Sequence, residues 1–93
     1  MNTSTRETIS VYTPNGIAGK IAEDFRQYRK IRKLPMTELA KMSGVGYSTI
    51  KKFEHTGEIS LVSLCKIASV LGLDDALLNL FSDIPPATIE EVF

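Results

Sequence analysis

Apolar residues recur at helical spacing in five successive stretches of this chain. Ile17, Ile21, Phe25 and Tyr28 follow one another at intervals of four, four and three, which lines one face of a helix. Asn15, next to Pro14, is placed to cap that helix, and the pattern carries it to about Lys33. Pro35 ends it but is tolerated in the first turn of the next helix, which turns Leu39 and Ala40 inward and stops at Ser43-Gly44. A third helix runs from about Tyr47 to His55 with Ile50 and Phe53 inward, and Gly57 closes it. In a fourth, capped by Ser60, the residues Leu61, Leu64, Ile67, Ala68 and Leu71 form one apolar stripe that stops at Gly72. Asp74 is placed to cap a fifth that carries Leu77, Leu78 and Phe81. Pro85-Pro86 then breaks the chain before the short amphipathic tail ATIEEVF. The Thr- and Ser-rich start, with weak alternation at Ile9 and Val11, reads as a flexible arm. No repeat and no strand-rich stretch interrupts this order, so the fold class is all-α, with an arm over 1–14, a helical domain over 15–82 and a tail over 83–93.

Composition narrows the function. A chain of 93 residues has one core and buries roughly 60–65% of its unfolded surface, which leaves little room for a deep catalytic pocket. Its single cysteine, Cys65, cannot form an internal disulfide or a cysteine-based zinc site, and reads as a small packing residue of a cytoplasmic protein. No apolar run approaches the roughly 20 residues of a membrane span, and the start MNTSTRETIS lacks the apolar segment of a signal peptide. The single histidine, His55, has no second histidine or convergent carboxylates near it in sequence, and no activated nucleophile is evident. No enzyme activity, cofactor or metal site is therefore expected.

A formal net charge of zero argues at first against nucleic acid as a partner. The sum hides a division. Residues 20 to 52 hold nine basic and three acidic residues, a net of +6, while residues 53 to 93 hold one basic and seven acidic residues, a net of −6. The basic half suits phosphate; the acidic half repels it and faces elsewhere. Within the basic half, Arg26, Lys30, Arg32 and Lys33 are equally readable as phosphate contacts or as a solvated run.

The segment MTELAKMSGVGYSTIKKFE, residues 36 to 54, joins two short helices through a tight turn. Helices that cross steeply need a small residue where their backbones meet, supplied by Ala40, and a residue that accepts positive φ in the turn, supplied by Gly44. Val45, Ile50 and Phe53 then face inward. Tyr47, Ser48, Lys51, Lys52 and His55 recur on the opposite, solvent face, and their hydroxyls and ammonium groups can bond bases or phosphates from a major groove.

With LA, SGV, STI, the glutamate ending the third helix and SLVSLCKIASVLGL at these spacings, the chain resembles the helix-turn-helix domains of the Xre family, which includes the lambda-type phage repressors. The resemblance spans roughly residues 17 to 81 and implies a five-helix lambda-repressor-like domain, its helix-turn-helix at helices 2 and 3. It implies double-stranded DNA as the partner, contacted by Tyr47, Ser48, Lys51 and Lys52; at the start of the second helix, Met36 and Thr37, a backbone N–H stands in for the side chain that Met36 cannot supply, and His55 offers a phosphate contact at the end of the third helix. It also implies an ion pair between Arg29 and Glu54 that fixes the angle of the recognition helix, and a twofold dimer. Two positions depart from the family: Met36 stands where a glutamine is common, and the loop HTGEIS carries Glu58 where basic residues are common. The surplus apolar residues Leu73, Leu77, Leu78 and Phe81 point to dimerisation through the fourth and fifth helices. The run EHTGEISLVSLCKIASVLGL and the proline-containing acidic tail also resemble antitoxin-type regulators that partner HipA-like toxin kinases. This second resemblance adds a toxin-kinase partner as an alternative, with Val92 and Phe93 as anchors.

Overall fold

Thr13, not Asn15, opens the first helix. Its Oγ1 accepts from the Gly16 N–H at 3.0 Å, and Pro14 takes the first helical position, where a missing N–H costs nothing. The structure, a computed structural model, describes residues 12–82. Ile9, Val11, Pro85-Pro86, Val92 and Phe93 lie outside the described residues. Five helices follow in order, with no strand among the described residues: α1 Pro14–Ile31, α2 Met36–Ser43, α3 Tyr47–Thr56, α4 Leu61–Val70 and α5 Asp74–Leu78. The architecture is the all-α, five-helix one expected from the pattern, with α1 beginning one residue before the expected boundary.

α1 also stops earlier than Lys33. Arg32 is its C-cap and Lys33 takes φ 57, so that the Leu34 N–H reaches back to the Arg29 carbonyl at 3.2 Å and the Lys33 N–H to that of Lys30 at 2.9 Å. This double return satisfies carbonyls at the helix end and turns the chain toward Pro35. Glycines take the positive-φ position elsewhere: Gly44, Gly57 and Gly72 follow α2, α3 and α4, and the end of α4 repeats the double return through the Gly72 and Leu73 N–H groups. Ser60 caps α4 through the Ser63 N–H at 3.1 Å. Leu73, not Asp74, takes the cap position of α5; Asp74 and Asp75 lie in its first turn, where negative charge meets the positive end of the helix dipole.

A single core holds Ala22 and Phe25 of α1, Leu39 of α2, Val45 of the turn, Ile50 and Phe53 of α3, and Ile67 with Leu71 at the end of α4. Phe25 and Phe53 meet edge to face, ring centroids 5.5 Å apart, and lock α1 to α3. The buried line of α1 is Ala22, Phe25 and Arg29; of the expected Ile17, Ile21, Phe25 and Tyr28, Phe25 is in the core and Tyr28 packs half-buried against it. Ile17 and Ile21 remain 45% and 46% exposed. The physical reason is close approach: Ala18, being small, lets α1 come within backbone contact of the turn after α3, and the larger isoleucines are rotated to the side.

Three further expectations are corrected. Leu61 opens α4 but is exposed rather than part of a buried stripe, because the burial on that helix runs through Ile67 and Ala68. Cys65 is exposed and does not pack in the core. Phe81 lies beyond the end of α5 and is also exposed.

Candidate nucleic-acid interface

The turn between α2 and α3 is built from local chemistry. Gly44, at φ 77, returns its N–H to the Ala40 carbonyl at 3.0 Å, and Ala40 is half-buried against the core. Val45 is buried and donates its N–H to Ser43 Oγ at 3.1 Å, which fixes the chain as it swings into α3. Ile50 and Phe53 then anchor α3 from beneath, with no more than 1% of their surface exposed.

The other face of α3 is open. Tyr47, Ser48, Lys51, Lys52 and His55 are all exposed, on successive turns of one helix. At its C-terminus Thr56 Oγ1 donates to the Lys52 carbonyl at 2.7 Å and accepts from the Glu58 N–H at 3.1 Å, and Gly57 ends the helix at φ 86. Lys52 Nζ lies 3.2 Å from Glu58, both side chains well exposed, so this pair exchanges readily with water or with another anion.

Beneath this face, Arg29 of α1 grips the end of α3. Its Nε donates to Glu54 Oε2 at 2.6 Å and its Nη2 to Glu54 Oε1 at 2.8 Å, while Nη1 donates to the Leu34 carbonyl at 2.9 Å. The two side chains are only 9% and 5% exposed. One guanidinium thus joins α1, the connection to α2 and the end of α3. The two parallel N–H···O bonds make this contact directional, whereas desolvation of both charges offsets much of their attraction.

The structure brings most of the sequence-derived residues together. Met36, Ser48, Lys51, Lys52 and His55 line one cleft between α1 and α3, floored by the Arg29–Glu54 pair. Tyr47 stands at the start of α3 and Thr37 is exposed in the first turn of α2, both outside that lining. Met36 also packs on the core, so it fills space where a glutamine would present an amide. The cleft contains two more cations, Arg26 and Lys30 of α1, which sequence reasoning did not separate from Arg32 and Lys33. Arg32 is engaged elsewhere: its Nη1 donates to the Leu71 carbonyl at 3.0 Å and to the Tyr28 hydroxyl at 3.1 Å, and its guanidinium lies 5.5 Å from the centroid of the Tyr28 ring. Spacing gives no signal for this split, since Lys33 follows Lys30 by three and Arg26 by seven and so shares their helical face.

Among the described residues there is no group of three or more His, Cys, Asp or Glu able to hold a metal, and no helix is long and apolar enough to cross a membrane. No curated protein and no solved structure gives a significant match to the chain. A model of the helix-turn-helix family HTH_3 matches residues 25–78. That match runs through all five helices and covers more than half of the chain, and the protein belongs to this helix-turn-helix family of DNA-binding domains.

Proposed function

We propose that the protein is a sequence-specific transcriptional repressor that acts as a dimer, laying α3 in the major groove of each half-site of a two-half-site operator. The observation that carries this reading is the exposed face of α3, where hydroxyls and two ammonium groups stand together on a helix whose angle is held by a buried ion pair. Ser48 and Lys52 are the base readers in this reading, with Tyr47, Lys51 and His55 toward the flanking strands. α2 opens without a side-chain cap, so the free N–H groups of its first turn, at Met36 and Thr37, supply the phosphate contact that a glutamine would make.

An operator recovered by selection from random duplexes provides the test. Lys52→Ala is expected to weaken binding to that operator at least tenfold in fluorescence anisotropy, whereas Lys66→Ala, at an exposed position of α4, leaves it within a factor of two. Equal effects of the two substitutions would place the DNA face elsewhere.

The apolar surface on α4, α5 and the residues that follow α5 supports the dimer. Leu61, Val62, Leu78, Leu80 and Phe81 are each more than half exposed, and several of them line one groove around Cys65. A contiguous apolar patch on a small domain favours a partner surface, and a second copy matches it by twofold symmetry. Half-sites then fall about 10 to 10.5 base pairs apart or at multiples of that spacing. Phe81→Asp with Leu78→Asp is expected to give a monomer in sedimentation velocity and to remove tight binding to the paired site while single half-site binding persists. A double variant that sediments as wild type would move the interface off this surface.

A further inference from the structure

The cations of α1 are not equivalent, and the difference points to a ligand. Arg26 and Lys30 face Lys51, Lys52 and His55 across the cleft, and Glu54, held by Arg29, is the one carboxylate that lines it among the described residues. Among the described residues the one salt bridge these cations make to a carboxylate outside the lining is that of exposed Lys52 to Glu58, while Glu23 lies one turn before Arg26 on α1. Arg26 Nε is buried and donates to nothing among the described residues. A buried guanidinium N–H without an acceptor is unfavourable, and like charges gathered on two helices repel each other; an anion in the cleft offsets the repulsion and supplies the missing acceptor once the Arg26 side chain turns its Nε out to it. Arg32, by contrast, has its acceptors within the fold.

We propose that α1 and α3 form a clamp for a phosphodiester of the DNA backbone, with Arg26 and Lys30 as its α1 wall and Lys51 and His55 as its α3 wall. The clamp rests on the DNA-binding reading and extends it, since it gives the first helix a direct part in contact. The phosphate sits above the Arg29–Glu54 pair, so the group that sets the angle of α3 also forms the floor of the backbone site. A phosphate seated there fixes how far α3 enters the groove, while Ser48 on the same cleft wall remains free for base edges.

The test is the salt dependence of binding to a random-sequence duplex of 20 base pairs, joined to an NMR measurement on the unmodified protein. Arg26→Gln is expected to lower affinity about tenfold at low salt and to reduce the slope of log K against log salt by about 0.9, the value of one lost phosphate contact. Lys30→Gln acts in the same direction, and Lys66→Gln leaves the slope unchanged. In wild-type protein the Arg26 Nε–Hε resonance moves downfield as duplex is added. A wild-type slope in a folded Arg26→Gln variant, or an unmoved Nε–Hε resonance in the duplex complex, overturns the clamp. If wild-type protein binds no duplex at all, the DNA-binding reading fails and pyrophosphate is titrated instead. A shift of the same resonance then keeps the anion site with a free phosphoryl ligand as its source, and no shift overturns it.

Discussion

Gly57→Ala is expected to destabilise the domain by about 3–4 kcal/mol, more than alanine at Gly44 or Gly72. Two separate effects add at this position. The residue has φ 86, where a side chain costs about 1–2 kcal/mol. A Cβ there also meets the Ala18 carbonyl carbon and oxygen at 2.8 Å and the Ala18 Cβ at 2.9 Å. Those atoms include the backbone of α1, which moves only if the whole helix shifts, and overpacking of this kind costs about 1–3 kcal/mol. Gly44 shares the conformation, at φ 77, but a Cβ there meets nothing within 4 Å. Gly44→Ala should therefore cost only the conformational part, about 1–2 kcal/mol. In thermal denaturation the two variants should differ by on the order of 10 °C, given the roughly 4–8 °C per kcal/mol of a domain this small. Equal melting temperatures would mean that α1 does not rest on the turn after α3.

Arg29→Ala should cost about 3 kcal/mol, within the usual range for removing one member of a buried ion pair. The loss leaves the Glu54 carboxylate with its side chain 5% exposed and no partner, and it strips the donor from the Leu34 carbonyl. Most of that cost is the stranded charge rather than the intrinsic worth of the pair. Arg29→Met combined with Glu54→Leu should accordingly recover more than half of the stability lost in Arg29→Ala. Urea denaturation of the single and double variants measures this directly. Operator affinity should stay low in the double variant, because the fork that sets the angle of α3 is gone even though the core is refilled. Wild-type melting of Arg29→Ala would show that Glu54 reaches water, and full operator binding by the double variant would remove the orienting role from the pair.

Much of the site could be read along the chain because its parts are local. The small residue at Ala40, the positive-φ residue at Gly44 and the apolar Val45, Ile50 and Phe53 are properties of one continuous segment, and helical spacing alone puts Tyr47, Ser48, Lys51, Lys52 and His55 on the remaining face. The pairing of Arg29 with Glu54 came from the family resemblance, since no periodicity links residues on different helices. The cap of α1 falls at Thr13 rather than Asn15 for a simple reason: Pro14 fits best at the first helical position, which leaves Asn15 inside the first turn.

The sequence by itself determined the number and order of the helices, the turn between α2 and α3 and the split of charge between two halves. These follow from spacing, from φ preferences of single residues and from composition. Only the tertiary structure decided which charges and which apolar residues share a surface. The crossing of α1 over α3 brings Arg26 and Lys30 into the cleft and sends Arg32 to the end of α4. The same crossing sets Ala18 against Gly57, which rotates Ile17 and Ile21 out of the core. A helical period repeats every 3.6 residues and fixes which side chains share a face; the face that meets a neighbour depends on how closely two backbones approach, and that is settled by small residues far apart in sequence.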